Sequence, residues 1–294
     1  MAENLELQAE KGIIAPKFVY PYVISDSENI ITGAPFDDGE PSALWADFSK
    51  KIDGLDIDDS QRDELLDSAK KAMLESVKPA YESLITSVEG IAEQADTKDG
   101  AWKFPDGEAF YNNALKRTTT TDLTADEIHQ IGLDEVERIH EEMRGIMKEV
   151  GFDGTLQEFF VHMRNSDDFT YPSTEEGRQR YLDEATAYID NMRGRLDELF
   201  LNKPKAELTV KAVEPFREKS AGKAFYQQPS MDGSRPGIYY ANLYDMSSMP
   251  TYQMEALAYH EGIPGHHMQI AMAQELEGIP SFRKYGRYTA YTEG

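Results

Sequence analysis

The sequence predicts a mainly α fold with one small β-sheet placed ahead of a histidine-bearing helix. Three observations lead there. Between residues 41 and 200, apolar residues recur at steps of three and four over long stretches, several opened by capping signatures. After Phe200 the chain turns to short β-branched and aromatic runs. From Thr251 the helical period returns, and the segment that follows holds three of the six histidines.

Residues 1–40 show little helical period. KFVYPYVI reads as a short extended run and TGAPFDDGEPSA as a loop, so this part is expected to be an irregular N-terminal segment. A helical body is expected over 41–200. It begins with helices near 41–53 and 58–95, the second started by DDSQRDELL and carrying Leu65, Ala69, Met73 and Val77 on one face. Pro79 lacks an amide donor and is predicted to kink or split that helix. DTKDGAWKFPDG is a polar break, and EAFYNNALKRTT a short helix.

Thr124 and Glu127 in TADE have the spacing of a capping box, and Val136, Ile139, Met143, Ile146 and Val150 form one apolar stripe behind it. Gly151 stands where a helix C-terminus favours glycine. TLQEFFVHMRN gives another short helix. Ser173 and Glu176 suggest a second capping box, opening a helix through Tyr181, Ala185, Tyr188, Met192 and Leu196.

The segment 201–294 is expected to hold three short strands, ELTVKAV, KAFYQQ and GIYYANL, followed by a candidate metal-site helix. Met254, Leu257 and Ala258 form the buried face of TYQMEALAYHEG, and the whole reads as a single domain.

Composition narrows the function. The 54 acidic against 30 basic residues give a formal charge of −24, which repels nucleic acid and anionic membrane surfaces. The absence of cysteine removes disulfides, thiolate metal sites and cysteine nucleophiles. The opening MAENLELQAEKG is acidic and lacks the plan of a signal peptide, which points to a cytoplasmic chain. Motifs for a serine nucleophile, a phosphate loop or a dinucleotide loop are not found.

The chemistry concentrates in YHEGIPGHHMQI, residues 259–270. A catalytic zinc site needs three protein ligands and a carboxylate able to take a proton from water. The ordinary helical solution, H-E-x-x-H, begins here as His260-Glu261, but the position four residues on is Pro264. On an unbroken helix a spacing of seven lies about 10.5 Å along the axis, too far for two imidazoles to share an ion. Pro264 and Gly265 could form a bulge that draws His266 or His267 back towards His260. The bland alternative is a helix end with histidines near its carboxyl terminus.

YHEGIPGHHMQ resembles the H-E-x-x-P-G-H-H signature of the bacterial domain-of-unknown-function family numbered 885, which is grouped with zincin-type metallopeptidases. YQQPSMDGSRPGIYYANL and TTTTDLTADEIHQIGLDEVERIHEEM are similar to family segments upstream, so the resemblance covers most of the chain from about residue 100 onward. It implies a zincin-like helical body and a zinc-dependent peptidase acting on short peptides. In that role His260 and His266 are metal ligands, with His267 as the alternative ligand or a group contacting substrate. Glu261 is the general base that passes a proton from water to the leaving amine, and Glu293 in YTEG matches the start of the family's E-G-W-A-L-Y segment as third ligand. The chain ends before that segment is complete, so the resemblance implies a longer parent. The alternative function is a non-catalytic helical module that binds a peptide or partner.

Supporting residues follow. GIYYANL is placed to add a substrate strand, with Tyr239, Tyr240 and Asn242 on alternating faces. Arg235 in DGSRPG could hold a substrate carboxylate. SFRKYGRYTAYTEG gathers Arg283, Lys284 and Arg287 with aromatics, of which Tyr288 or Tyr291 could donate to an oxyanion. His129, His140 and His162 read as solvated helix-surface groups.

Overall fold

The structure, a computed structural model, describes residues 1–293. It is mainly α with a three-stranded sheet. The chain groups into two compact units, Met1–Tyr111 and Asn112–Gly294.

The first unit is helical from its start. Helix α1 (Ala2–Glu10) and α2 (Tyr20–Ile30) occupy the segment expected to be irregular. Pro21 is tolerated because it falls in the first turn of α2, where an amide donor has no intrahelical partner. Both helices pack on α5 (Lys78–Ala92), where Tyr20 meets Val88 and Ile91, flanked by Leu5, Ala9 and Ile24. Tertiary packing thus overrides a weak local period. Between them lie α3 (Ala43–Asp53), capped by Ser42, and α4 (Asp59–Ala72), whose Asp58 and Gln61 form a capping box. A π-helical stretch over Met73–Val77 precedes α5, and Pro79 sits in the first turn of α5, so the chain stays helical from Asp59 to Ala92 with an irregular turn just ahead of Pro79 rather than a break. Helix α6 (Gly107–Thr119) begins here and ends in the second unit.

In the second unit, α7 (Ala125–Glu149) starts as the sequence indicated. The Glu127 amide donates to Thr124 Oγ1 at 3.3 Å, and Glu127 Oε2 accepts from the Thr124 amide at 2.8 Å. Gly151 follows the C-terminus at φ +73°. The α7 stripe is not buried, however: Val136, Ile139, Ile146 and Val150 are exposed, and Met147 beside them is the buried residue. Helix α8 (Leu156–Asn165) opens on a Thr155–Glu158 capping box.

Helix α9 (Glu175–Arg195) starts one residue later than a Ser173 cap requires. Thr174 is the cap and accepts from the Gly177 amide at 3.2 Å. A Cβ at Gly177 would meet the Pro172 carbonyl oxygen at 2.1 Å, so the position facing the cap can only be glycine, and Glu176 falls outside the box.

The strands β1 (Leu208–Ala212), β2 (Ala224–Gln227) and β3 (Gly237–Ala241) lie where expected, in spatial order β1-β3-β2. β1 runs parallel to β3, with Val210 opposite Tyr239; β2 runs antiparallel, with Tyr226 opposite Tyr239. Tyr181, Ala185 and Ile189 of α9 pack with Tyr239, Met246 and Met249, and with Met254 and Ala258 of α10 (Met254–Glu261). Each large apolar side chain buried in this core contributes roughly 1.5–3 kcal/mol before entropy is counted. Helices α11 (His266–Glu275), α12 (Ser281–Tyr285) and α13 (Thr289–Glu293) complete the unit. No helix among the described residues is long and apolar enough to cross a membrane.

Candidate metal centre

The Pro-Gly insert does not bulge within one helix. It ends α10 at Glu261 and restarts the chain as α11 at His266, with Gly262–Gly265 as the turn between. The Gly265 amide donates to the Tyr259 carbonyl and the His267 amide to the Gly262 carbonyl, both at 3.0 Å, which folds the turn back on the helix end. Only glycine fits at its two corners. A Cβ on Gly265 would lie 2.0 Å from the His260 carbonyl oxygen, and one on Gly262 would lie 2.6 Å from the Ala258 carbonyl oxygen. Two imidazoles six residues apart thereby meet, with ring centroids 4.5 Å apart.

Glu293 of α13 completes the group. One ligand atom from each of His260, His266 and Glu293 lies within 4.8 Å of the other two. Each histidine Nε2 is 3.5 Å from Glu293 Oε2. That spacing is at the outer limit for a hydrogen bond. It matches the separation of roughly 3.4 Å between two ligands of one tetrahedral ion bound at about 2.1 Å. Two imidazoles and one carboxylate also form the donor set of open catalytic zinc sites, so the residues present fit such an ion. Burial and the Arg287 charge lower the His266 pKa against the pull of Glu293, favouring the neutral imidazole that a metal requires.

Glu261 is buried at the end of α10 and faces the same cavity of about 290 Å³. Burial pushes its carboxyl up to about 7; His260 opposes the shift and Glu293 adds to it. A carboxyl poised there is suited to accept and return a proton near neutral pH. Phe225 and Tyr226 of β2, together with Arg287 and Thr292, also line the cavity.

His267, the alternative ligand, turns away from this centre and into the core. Its Nε2–H donates to the Ala206 carbonyl at 3.0 Å, so its Nδ1 accepts from the Tyr226 hydroxyl, also at 3.0 Å. Both nitrogens are occupied, and at 2% exposure the side chain reaches neither ion nor substrate. One helical step of about 100° separates it from His266, which explains how adjacent histidines face opposite ways. Gly237 gives the ring room, since a Cβ there would lie 2.4 Å from His267 Nδ1.

Several expected substrate groups lie elsewhere. β3 is the central strand, bonded on both sides, so it cannot take a peptide on its edge; the edge strand beside the cavity is β2. Tyr239 is wholly buried, the Tyr240 hydroxyl donates to Glu214 at 3.0 Å, and Asn242 Nδ2 donates to the carbonyls of Glu218, Ala221 and Gly222. Arg235 lines a separate groove, and its Nη1 donates to the Pro236 carbonyl. The Tyr288 hydroxyl donates to the Thr118 carbonyl at 3.2 Å, while Tyr291 is exposed and lines a different groove. Arg287 is the cation that faces the cavity, one of three basic residues in its stretch with nothing in the sequence to single it out. His129 and His162 are exposed as expected, His162 stacking on Phe152, whereas His140 is half-buried near Phe160.

Comparison with known proteins adds a family and a structure. The model of a family described as bacterial protein of unknown function (DUF885) matches residues 1–294. A crystal structure from Colwellia psychrerythraea, described as that of a putative lipoprotein, is similar at 30% identity and a TM-score of 0.88. The similarity covers 99% of this chain and 50% of that one, so the present chain spans about half its length. No curated protein matches.

Proposed function

The chain belongs to the bacterial family DUF885, and from that premise and its site we propose a zinc-dependent peptidase acting on short peptides. The observation that carries the reading is the convergence of His260, His266 and Glu293 beside the buried Glu261.

His260 and His266 would hold the ion through their Nε2 atoms and Glu293 through a carboxylate oxygen. Zinc bound there supplies Lewis-acid polarisation of a carbonyl and acidifies water. Glu261 takes the proton of the attacking water at its carboxylate and returns it to the departing amine. Its raised pKa keeps both forms accessible near pH 7. The low exposure of Glu261 and His266 limits bulk water on that side of the cavity. Edge strand β2 offers main-chain groups along the cavity wall, to which an extended peptide can add. The volume of about 290 Å³ suits one or two residues rather than a folded protein.

The test is hydrolysis of a short-peptide mixture by the zinc-loaded protein beside Glu261→Gln. Cleavage lost in the variant while zinc is retained supports the reading. Zinc-dependent thermal stability with no cleavage by either protein replaces it with a non-catalytic peptide-binding module.

A further inference from the structure

The cavity carries a charged group that proton transfer and metal binding leave unused. Arg287 lies between α12 and α13, six residues before Glu293, and lines the cavity with His260, Glu261 and His266. Its Nη2 donates to Gln228 Oε1 at 3.3 Å, and Gln228 directly follows β2. This is a neutral partner, and among the described residues no carboxylate pairs with Arg287. The acids nearest in the cavity are committed otherwise, Glu293 to the two histidines and Glu261 to its buried position. A guanidinium has five donors, and one amide oxygen leaves most of them available to a ligand in the cavity.

Apart from the two histidines, Arg287 is the one basic side chain among the described residues that line this small cavity, and a forked donor of this kind is complementary to a single carboxylate.

We propose that Arg287, held by Gln228, is the carboxylate-binding residue of this cavity and restricts it to peptides with a carboxylate next to the bond to be cleaved. The inference rests on the peptidase reading for the words "to be cleaved", but the binding preference stands by itself. The carboxylate is either the C-terminal α-carboxylate or an acidic side chain. Arg287 is a specificity-determining residue that acts on bound substrate and takes no part in proton transfer.

The probes are acetyl-Ala-Phe, acetyl-Ala-Phe-amide and acetyl-Ala-Glu-amide, titrated calorimetrically onto the chain and onto Arg287→Gln, each with and without one equivalent of zinc. Arg287 is exposed, so the variant should keep its unfolding midpoint. The expected result is at least one carboxylate probe binding about tenfold tighter than the neutral amide, with the preference gone in Arg287→Gln. A preference for acetyl-Ala-Phe identifies the C-terminal carboxylate, and one for acetyl-Ala-Glu-amide the acidic side chain. Equal binding of all three probes, no binding of any, or a preference that survives in Arg287→Gln overturns the inference. So does a kcat loss in Arg287→Gln that is the same for neutral and anionic substrates, because it places the guanidinium in the reaction instead. An Arg287-dependent preference without cleavage of any probe leaves the inference standing and removes the peptidase reading.

Discussion

His260 and His266 stand six residues apart in sequence yet face each other with ring centroids 4.5 Å apart. A continuous helix would place them about 9 Å apart along its axis. The turn Gly262–Gly265 makes the difference by ending one helix and starting the next within four residues. The candidate centre therefore depends on that turn as well as on its ligands.

Gly265→Ala tests the dependence. Its Cβ would lie 2.0 Å from the His260 carbonyl oxygen and 2.4 Å from that of Tyr259, both backbone atoms that cannot swing aside. Urea unfolding should show a loss of at least about 2 kcal/mol. Zinc affinity should fall tenfold or more as the two imidazoles separate. Gly145→Ala on α7, where nothing lies within 4 Å of the added carbon, serves as a control and should gain about 0.5–1 kcal/mol. Equal effects of the two substitutions would show that the turn tolerates a side chain.

Tyr226→Phe separates the core histidine from the candidate ligands. Removing the hydroxyl leaves the buried Nδ1 of His267 without its donor, at a cost of about 1–3 kcal/mol in unfolding free energy. Zinc affinity should stay within twofold, because neither His260 nor His266 bonds to that hydroxyl. Nitrogen NMR of the wild type should find the His267 proton on Nε2, facing Ala206. A proton on Nδ1 would contradict this arrangement.

Glu261 makes stability pH-dependent in a defined direction. Its carboxyl titrates near 7 when folded and near the ordinary value of about 4.3 when unfolded. Between those values the unfolded chain has released a proton that the folded chain still holds, so stability falls as pH rises through this window. Glu261→Gln removes the slope. In zinc-free protein the variant should match wild type near pH 4 and exceed it at pH 8 by on the order of 3 kcal/mol. Denaturant melts across that range decide it, and parallel profiles would count against a buried, unpaired carboxyl.

How far the sequence disclosed this molecule depended on the range over which each signal acts. Local signals read well: the Thr124–Glu127 box, Gly151, the irregular turn ahead of Pro79 and the three strands all lie where the residues indicated. The group His260, His266 and Glu293 also comes together as the family resemblance implied, because its motif stores a three-dimensional arrangement as a spacing. What failed was non-local. Helices α1 and α2 owe their order to Val88 and Ile91, far along the chain. Alternation in GIYYANL could not show that β3 is central, since strand order is set by partners. The Thr174 cap is the local exception, set by the tight approach of Gly177 to Pro172, while the place of Arg287 in the cavity follows from the path between two short helices.

Zinc binding tests the central claim most directly. Calorimetric titration of zinc into metal-free protein should give one site per chain. His266→Gln and Glu293→Gln should each weaken it by 100-fold or more, while Tyr226→Phe should leave it unchanged. Absence of a stoichiometric site, or an affinity indifferent to His266 and Glu293, would contradict the assignment of this cavity as a metal centre.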